Sequence, residues 1–323
     1  MAETALAMNF ALNQTAERLA RRMIENSARL RIGVHKAAGG ATLIDCGIEV
    51  RGGLEAGRAL AEVCMAGLGR VEFVPGAPEL WPGPAVAVRT DSPVAGCMAA
   101  QYAGWKVQHE KYFAMGSGPM RAAAGKEALF DKIGHHERPE VAVGVLETRV
   151  MPPDDVLRSL ANACGVALER FILLLAPTAS QAGSVQIAAR SVETALHKLF
   201  ELGFDLNRIE SGFGTAPLPP VARDDLAAIG RTNDAVLYGA EVTLWVRGDD
   251  DSLRAIGPKS PSSASADFGE PFAEVFKRYG GDFYRIDPLL FSPAVVTFSN
   301  LDTGGTFRFG HTLPRVIHRS FTE

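Results

Sequence analysis

The stretch RFILLLAPTASQAGSVQIAARSVETALHKLFELG, residues 170–203, carries two backbone periodicities in succession. Arg170 to Ala176 reads as a short strand, because its apolar run stops at Pro177, far short of the roughly 20 residues that a membrane-spanning helix needs. Gln186 to Leu202 reads as a helix, with Ser180 or Ser184 available as N-cap and Gly203 at the C′ position. A strand followed by a helix is the unit of an α/β or mixed α+β protein.

The same alternation extends outward on both sides. Strands are predicted at Arg31 to Val34, Ala41 to Cys46, Val71 to Val74, Ala85 to Thr90, Glu140 to Leu146 and Ala240 to Val246. Helices are predicted at Asn13 to Arg29, Leu54 to Ala66, Asp154 to Ala163 and Pro271 to Tyr279. Glycine is concentrated in Phe113 to Pro119, Ser211 to Pro220 and Gly257 to Ser265, which read as loops, the second as a connection between halves. No repeat of fixed period occurs.

The chain has 323 residues, 47% apolar and 22% charged, the usage of an ordinary folded globular protein with room for two packed sub-domains. A division into 1–150 and 151–323 is placed at Met151-Pro152-Pro153, with parts that interleave as the alternative. A net charge of −4 without a dense basic cluster argues against a nucleic-acid surface. No run is long enough for a membrane span and no signal-peptide pattern opens the chain, so a cytoplasmic location is expected. Cys46, Cys64, Cys97 and Cys164 form no CxxC and read as buried free thiols.

Several familiar motifs fail. Gly116-Ser117-Gly118-Pro119-Met120-Arg121 lacks the third glycine of a dinucleotide fingerprint, and the run ending in Gly125-Lys126-Glu127 has neither the spacing nor the hydroxyl of a phosphate loop. His135-His136 has no accompanying metal spacing, and Cys97 has no identifiable base. Arg190-Ser191-Val192-Glu193 sets a guanidinium and a carboxylate three residues apart on one helical face. Ile187, Ala188, Ala189, Val192, Ala195 and Leu196 make that helix apolar nearly all round, so the pair belongs at a buried or cleft position, where charge is matched or functional.

Five blocks together resemble one family, methenyltetrahydromethanopterin cyclohydrolase. They are Ser92-Pro93 through Gln101-Tyr102-Ala103-Gly104-Trp105; Tyr112 through Met115-Gly116-Ser117-Gly118-Pro119-Met120-Arg121-Ala122; Gly230-Arg231-Thr232-Asn233-Asp234 through Gly239; Pro261-Ser262-Ser263 through Phe272; and Asp282 through Ala294. The resemblance implies a cytoplasmic enzyme that hydrolyses the 5,10-methenyl derivative of tetrahydromethanopterin, or a close analogue, to the 5-formyl derivative. It further implies a two-part α/β architecture with a deep pocket between the parts, a homotrimer, and no metal or redox cofactor.

The family's catalytic arginine and glutamate, three residues apart, fall on Arg190 and Glu193. Glu193 then positions and deprotonates water, and Arg190 holds that carboxylate and tunes its pKa. Thr232, Asn233, Asp234 and the Gly116 to Pro119 loop, with Met115, Ser117 and Gly118, are candidate pocket walls. Tyr102, Trp105, Tyr112 and Phe113 are candidate partners for the flat pterin. Lys106, Lys111, Arg121 or Lys259, beside Ser260, Ser262 and Ser263, are candidates for the phosphate of the substrate tail. A methenyl-tetrahydrofolate cyclohydrolase and a non-catalytic pterin carrier are the alternatives.

Overall fold

The computed structural model describes residues 10–282 and 285–323. Its strands are β1 Gly33–Lys36, β2 Thr42–Asp45, β3 Gly69–Pro75, β4 Pro84–Thr90, β5 Trp105–His109, β6 Tyr112–Ser117, β7 Ala142–Glu147, β8 Phe171–Ala176, β9 Ile209–Pro217, β10 Glu241–Val246, β11 Val295–Asn300 and β12 Thr306–Gly310. They form two six-stranded mixed sheets, ordered β1-β2-β8-β7-β6-β5 and β12-β11-β10-β9-β4-β3. The mixed α/β class read from the sequence is the class of the fold. Position 150/151 falls between β7 and β8, which are adjacent parallel strands of the first sheet, while β3 and β4 leave that run of sequence to join the second. The two sheets therefore interleave along the chain.

In the first sheet β8 lies between β2 and β7, parallel to both. All six of its residues are buried because helices cover both faces of the sheet. Ile172 and Leu174 pack with Ala16, Ala20, Met23 and Leu60 on one side. Phe171, Leu173 and Leu175 pack with Val156, Leu157 and Leu160 on the other. Period-two alternation thus supplies two different cores from one apolar run.

The second sheet buries Val86, Val88, Val242, Leu244, Val296 and Phe298 against Val192, Ala195, Leu196 and Leu199 of the Ser191–Glu201 helix. One of its two central strands is β9, which the sequence presents as a glycine-rich linker. The glycines there serve close packing: a Cβ on Gly212 would stand 2.6 Å from Val192 Cγ1, and one on Gly214 would stand 2.5 Å from Ser191 Oγ. Absent side chains let the helix sit down on the strand. The Phe113 to Pro119 loop is likewise mostly strand, β6, and only its end turns.

The predicted helix over Gln186 to Leu202 is two helices, Gln181–Ala188 and Ser191–Glu201. Ser180 caps the first by accepting from the Gly183 amide, as read, and Gly203 follows the second with φ +78. Arg190 sits at the break, with φ −89 and ψ 6. The Gln101 side-chain amide donates to the Ala189 carbonyl at 3.1 Å, and the Arg190 amide closes only the short bond to Ile187 at 3.0 Å. A long-range partner therefore takes over a backbone acceptor at the break.

Val94–Gln101 is a π-helix, and the helix Asp225–Leu237 is a further element the sequence reading did not contain. The predicted Asn13 to Arg29 helix breaks at Asn26 into Leu12–Glu25 and Ser27–Leu30. The first strand lies two residues later than predicted, where its backbone pairs with β2. Among the described residues no helix is long and apolar enough to cross a membrane.

Candidate active site

Strand ends of the first sheet and the helices lying on the second meet at Arg190. Its Nη1 donates to the carbonyl of Gln101, the last residue of the π-helix, at 2.5 Å. Its Nη2 reaches Ser117 Oγ at the end of β6 (3.1 Å), Gln186 Oε1 one turn earlier (3.0 Å) and Glu147 Oε1 at the end of β7 (3.3 Å). Gln186 Nε2 in turn donates to the same Glu147 oxygen at 2.8 Å, which fixes the orientation of its amide. Cys64 Sγ stands 3.4 Å from Ser117 Oγ and closes the floor. The guanidinium is held from four elements, yet its buried Nε has no partner among the described residues.

Glu193 points into the same space from the first turn of the following helix. Its nearest oxygen stays 3.9 Å from Arg190 Nη1, too long for a direct hydrogen bond, and no described residue donates one to the carboxylate. Burial pushes its pKa up to about 7, and the charges of Arg190 and Arg121 oppose that rise without cancelling it. A carboxyl group that titrates near neutrality both takes and returns a proton readily at physiological pH. A neighbouring separation of this size suits a bridging water.

Tyr102 borders this carboxylate. Burial, with Glu193 next in size, pushes its hydroxyl up to about 12. Its ring stacks on His197 with centroids 4.7 Å apart, and the Arg121 guanidinium carbon lies 4.8 Å from its centroid. Arg121 is itself fully buried, paired with both oxygens of Glu127 at 2.9 and 2.5 Å and with the Met98 carbonyl at 3.1 Å. Every edge of that guanidinium is taken, while Lys106, Lys111 and Lys259 are exposed.

Ser117 is the member of the β6 turn that reaches Arg190. Gly118 makes this possible: at φ +87 it turns the chain out of β6 while its amide donates to the Ala100 carbonyl at 2.9 Å. Met115 lies opposite Glu147 and Gly116 opposite Trp105 in the strand register. Lys126 sits over the Trp105 ring, and Tyr112 is buried in the core beside Leu146.

Thr232, Asn233 and Asp234 share the Asp225–Leu237 helix. The first two donate to the carbonyls of Ala228 and Ile229, and Asp234 accepts the Phe272 amide at 2.8 Å. Burial pushes Asp234 up to about 7. Ser262 Oγ donates to the Leu237 carbonyl at 2.5 Å, and Ser263 is half-buried beside it. Among the described residues these five make no hydrogen bond to the Arg190 group. Phe283 and Tyr284 of the last resembling block lie outside the described residues.

Gln101, Gln186 and Glu147 are the site residues that the sequence reading did not contain. Gln186 had a signal, being four residues before Arg190 in an apolar helix. His35, Asp45 and Glu49 group with metal-like spacing, but each Asp45 oxygen already accepts two backbone amides of the turn from Gly47 to Val50.

Two interleaved mixed sheets, with a buried carboxylate pushed up to about 7 beside a braced guanidinium, make an α/β protein whose buried site holds a group able to exchange a proton near neutral pH. The family model described as Cyclohydrolase (MCH) matches residues 11–321. The methenyltetrahydromethanopterin cyclohydrolase of Rhodopirellula baltica is 49% identical over 288 residues, covering 87% of this chain and 86% of its own. That of Methylobacillus flagellatus is 45% identical over 311 residues, with 96% and 95% covered. That of Methanospirillum hungatei is 42% identical over 313 residues, with 96% and 98% covered. The chain belongs to the MCH cyclohydrolase family.

Proposed function

We propose that the protein hydrolyses the 5,10-methenyl bridge of tetrahydromethanopterin, or of a close analogue, to the 5-formyl derivative. The observation that carries this reading is Glu193: a buried carboxyl group pushed up to about 7, to which no described residue donates a hydrogen bond, 3.9 Å from a guanidinium that other groups hold. The methenyl carbon lies between two nitrogens in a cationic, amidinium-like bridge and is already electrophilic. Water held between Glu193 and Arg190 adds to that carbon as Glu193 takes its proton. The carbinolamine then collapses: its hydroxyl proton leaves, the bond from carbon to N10 breaks, and N10 takes the proton back from Glu193. The formyl group stays on N5, and one proton is released for each cation consumed.

The anionic carboxylate also favours the bound cation, and Glu147 offsets the charge of Arg190 that would oppose it. The pterin is the one-carbon carrier and the substrate; the reading includes no resident metal or redox cofactor. It places the substrate in a pocket between the two sheets, with Tyr102, Trp105, Tyr112, Met115, Gly116, Ser117, Gly118, Arg121, Thr232, Asn233, Asp234, Ser262 and Ser263 as the candidate walls. Arg121 in that set acts through Tyr102, since its own donors are occupied. A cytoplasmic homotrimer completes the reading, supported by the family likeness.

The test is loss of the methenyl absorbance on adding the protein to methenyl-tetrahydromethanopterin and, in parallel, to methenyl-tetrahydrofolate. Hydrolysis of the first, abolished by Glu193→Gln, is the expected result. Hydrolysis of the folate compound alone would replace the substrate, and hydrolysis of neither would leave a pterin carrier.

A further inference from the structure

Arg190 has more partners than a catalytic guanidinium needs, and Glu193 is not among those it hydrogen-bonds. Nη2 is shared among Glu147, Gln186 and Ser117, and Nη1 is bound to the Gln101 carbonyl. Nothing of comparable strength pulls toward Glu193. A free arginine and carboxylate three residues apart on a buried helix would close into a short, charge-assisted pair, and such a pair would occupy the oxygen that must accept a proton.

We propose that Glu147, seated by Gln186, is a positioning residue that holds the Arg190 guanidinium away from Glu193 and so keeps the two catalytic groups apart with room for water. The inference rests on the proposed hydrolysis and adds to it a third residue, which acts through Arg190. Gln186 is the lock: its Nε2 donates to Glu147 and its Oε1 accepts from Arg190, so turning the amide would break both bonds. Glu147 matches the buried charge from the side of the first sheet, leaving Glu193 without the full ion pair that would weaken it as a base.

The charged and titratable groups around Glu193 come from every packed element. Arg190 stands before it on the chain, Glu147 comes from β7, and Arg121 comes from the short helix Met120–Ala124 beyond β6, with its partner Glu127 just after that helix. Cys64 and Cys97 face it from the Leu54–Cys64 helix and the π-helix, and Tyr102 follows that π-helix. His197 lies one turn further along its own helix against Tyr102, with Lys198 beside it. Of the anions in this set, Glu147 is the one bonded to Arg190.

Replacing Glu147 by glutamine removes the anion and loosens the brace, and both changes favour ionised Glu193. In Glu147→Gln the acid limb of the kcat–pH profile is therefore expected to move down by about one unit. The plateau kcat is expected to fall about tenfold, with KM little changed, because the weaker base accepts the proton less readily. Gln186→Leu, which keeps the charge and removes the lock, shifts the limb the same way by a smaller step, and Glu147→Asp restores part of the wild-type profile.

The titration of Glu193 is also followed without turnover, from its carboxyl infrared band identified by its loss in Glu193→Gln. An unmoved limb and an unmoved band in both Glu147→Gln and Gln186→Leu would overturn the positioning role. A wild-type protein that hydrolyses no methenyl pterin would overturn the proposed function, and the infrared titration would still decide whether Glu147 governs Glu193.

Discussion

Two buried arginines whose charges both act on Glu193 are treated in opposite ways. Arg121 closes a two-pronged bridge with Glu127, adds the Met98 carbonyl, and lies over Tyr102 and Phe130. Arg190 spreads its donors over four neighbours, leaves Nε without a partner among the described residues, and keeps Glu193 at 3.9 Å. A completed buried pair is scaffolding, since all its bonds are made in the resting protein. An uncompleted one keeps bonding capacity for something that arrives, which is the condition for chemistry.

That contrast breaks most easily at its functional end. Glu193→Gln is expected to lower kcat by about 10²–10⁴-fold, read from the methenyl absorbance, while the protein stays folded. A variant with kcat near the wild type would remove the carboxylate from the reaction. The matching change at the other arginine is Glu127→Ala, which strands the Arg121 guanidinium in the core. Denaturant unfolding should show a loss of roughly 3 kcal/mol, with the surviving folded protein retaining most of its kcat. Were Glu127→Ala to cost activity and no stability, the division between scaffold and chemistry would fail.

A smaller effect is expected where the scaffold supports the site at one remove. Gly214→Ala places a methyl group against Ser191 Oγ, which must shift with its helix, at about 1–3 kcal/mol and with a measurable fall in kcat. An unchanged melting temperature would mean that the helix yields freely and that the glycines of β9 are not needed for contact.

The smallest effect is on stability against pH. Glu193 titrates higher in the folded protein than in the unfolded chain, so its burial costs nothing below the ordinary carboxyl range and costs most above about 7. Relative to wild type, Glu193→Gln should therefore gain a few degrees in melting temperature on going from pH 5 to pH 8. A gain confined to acid pH would contradict the sign of that shift.

What could be read from the letters alone follows from where the determining contacts lie in sequence. The β8 run and the Arg190 and Glu193 spacing are local, and both are legible in the sequence. The break at Arg190 was not, because its cause, Gln101, is 88 residues from the Ala189 carbonyl that it takes, and both flanks are helix formers. Glu147 ends a strand that was anticipated, but nothing in its neighbourhood marks it as the partner of an arginine 43 residues later. β9 was misread for a different reason: its glycines resemble those of a loop, and only the helix that lies across them explains why side chains are absent.

The interleaving of the two sheets sets an order of events during synthesis. The β3–β4 hairpin leaves the ribosome early, yet Thr90 must find Gly212 before the second sheet has a centre. Until then β4 presents a bare edge, and the intervening chain completes the first sheet beside it. A nascent polypeptide of this design has to shelter an unfinished hairpin for the time taken to translate the whole of β5 to β8, and a ribosome stalled in that interval would display an adhesive strand to its neighbours.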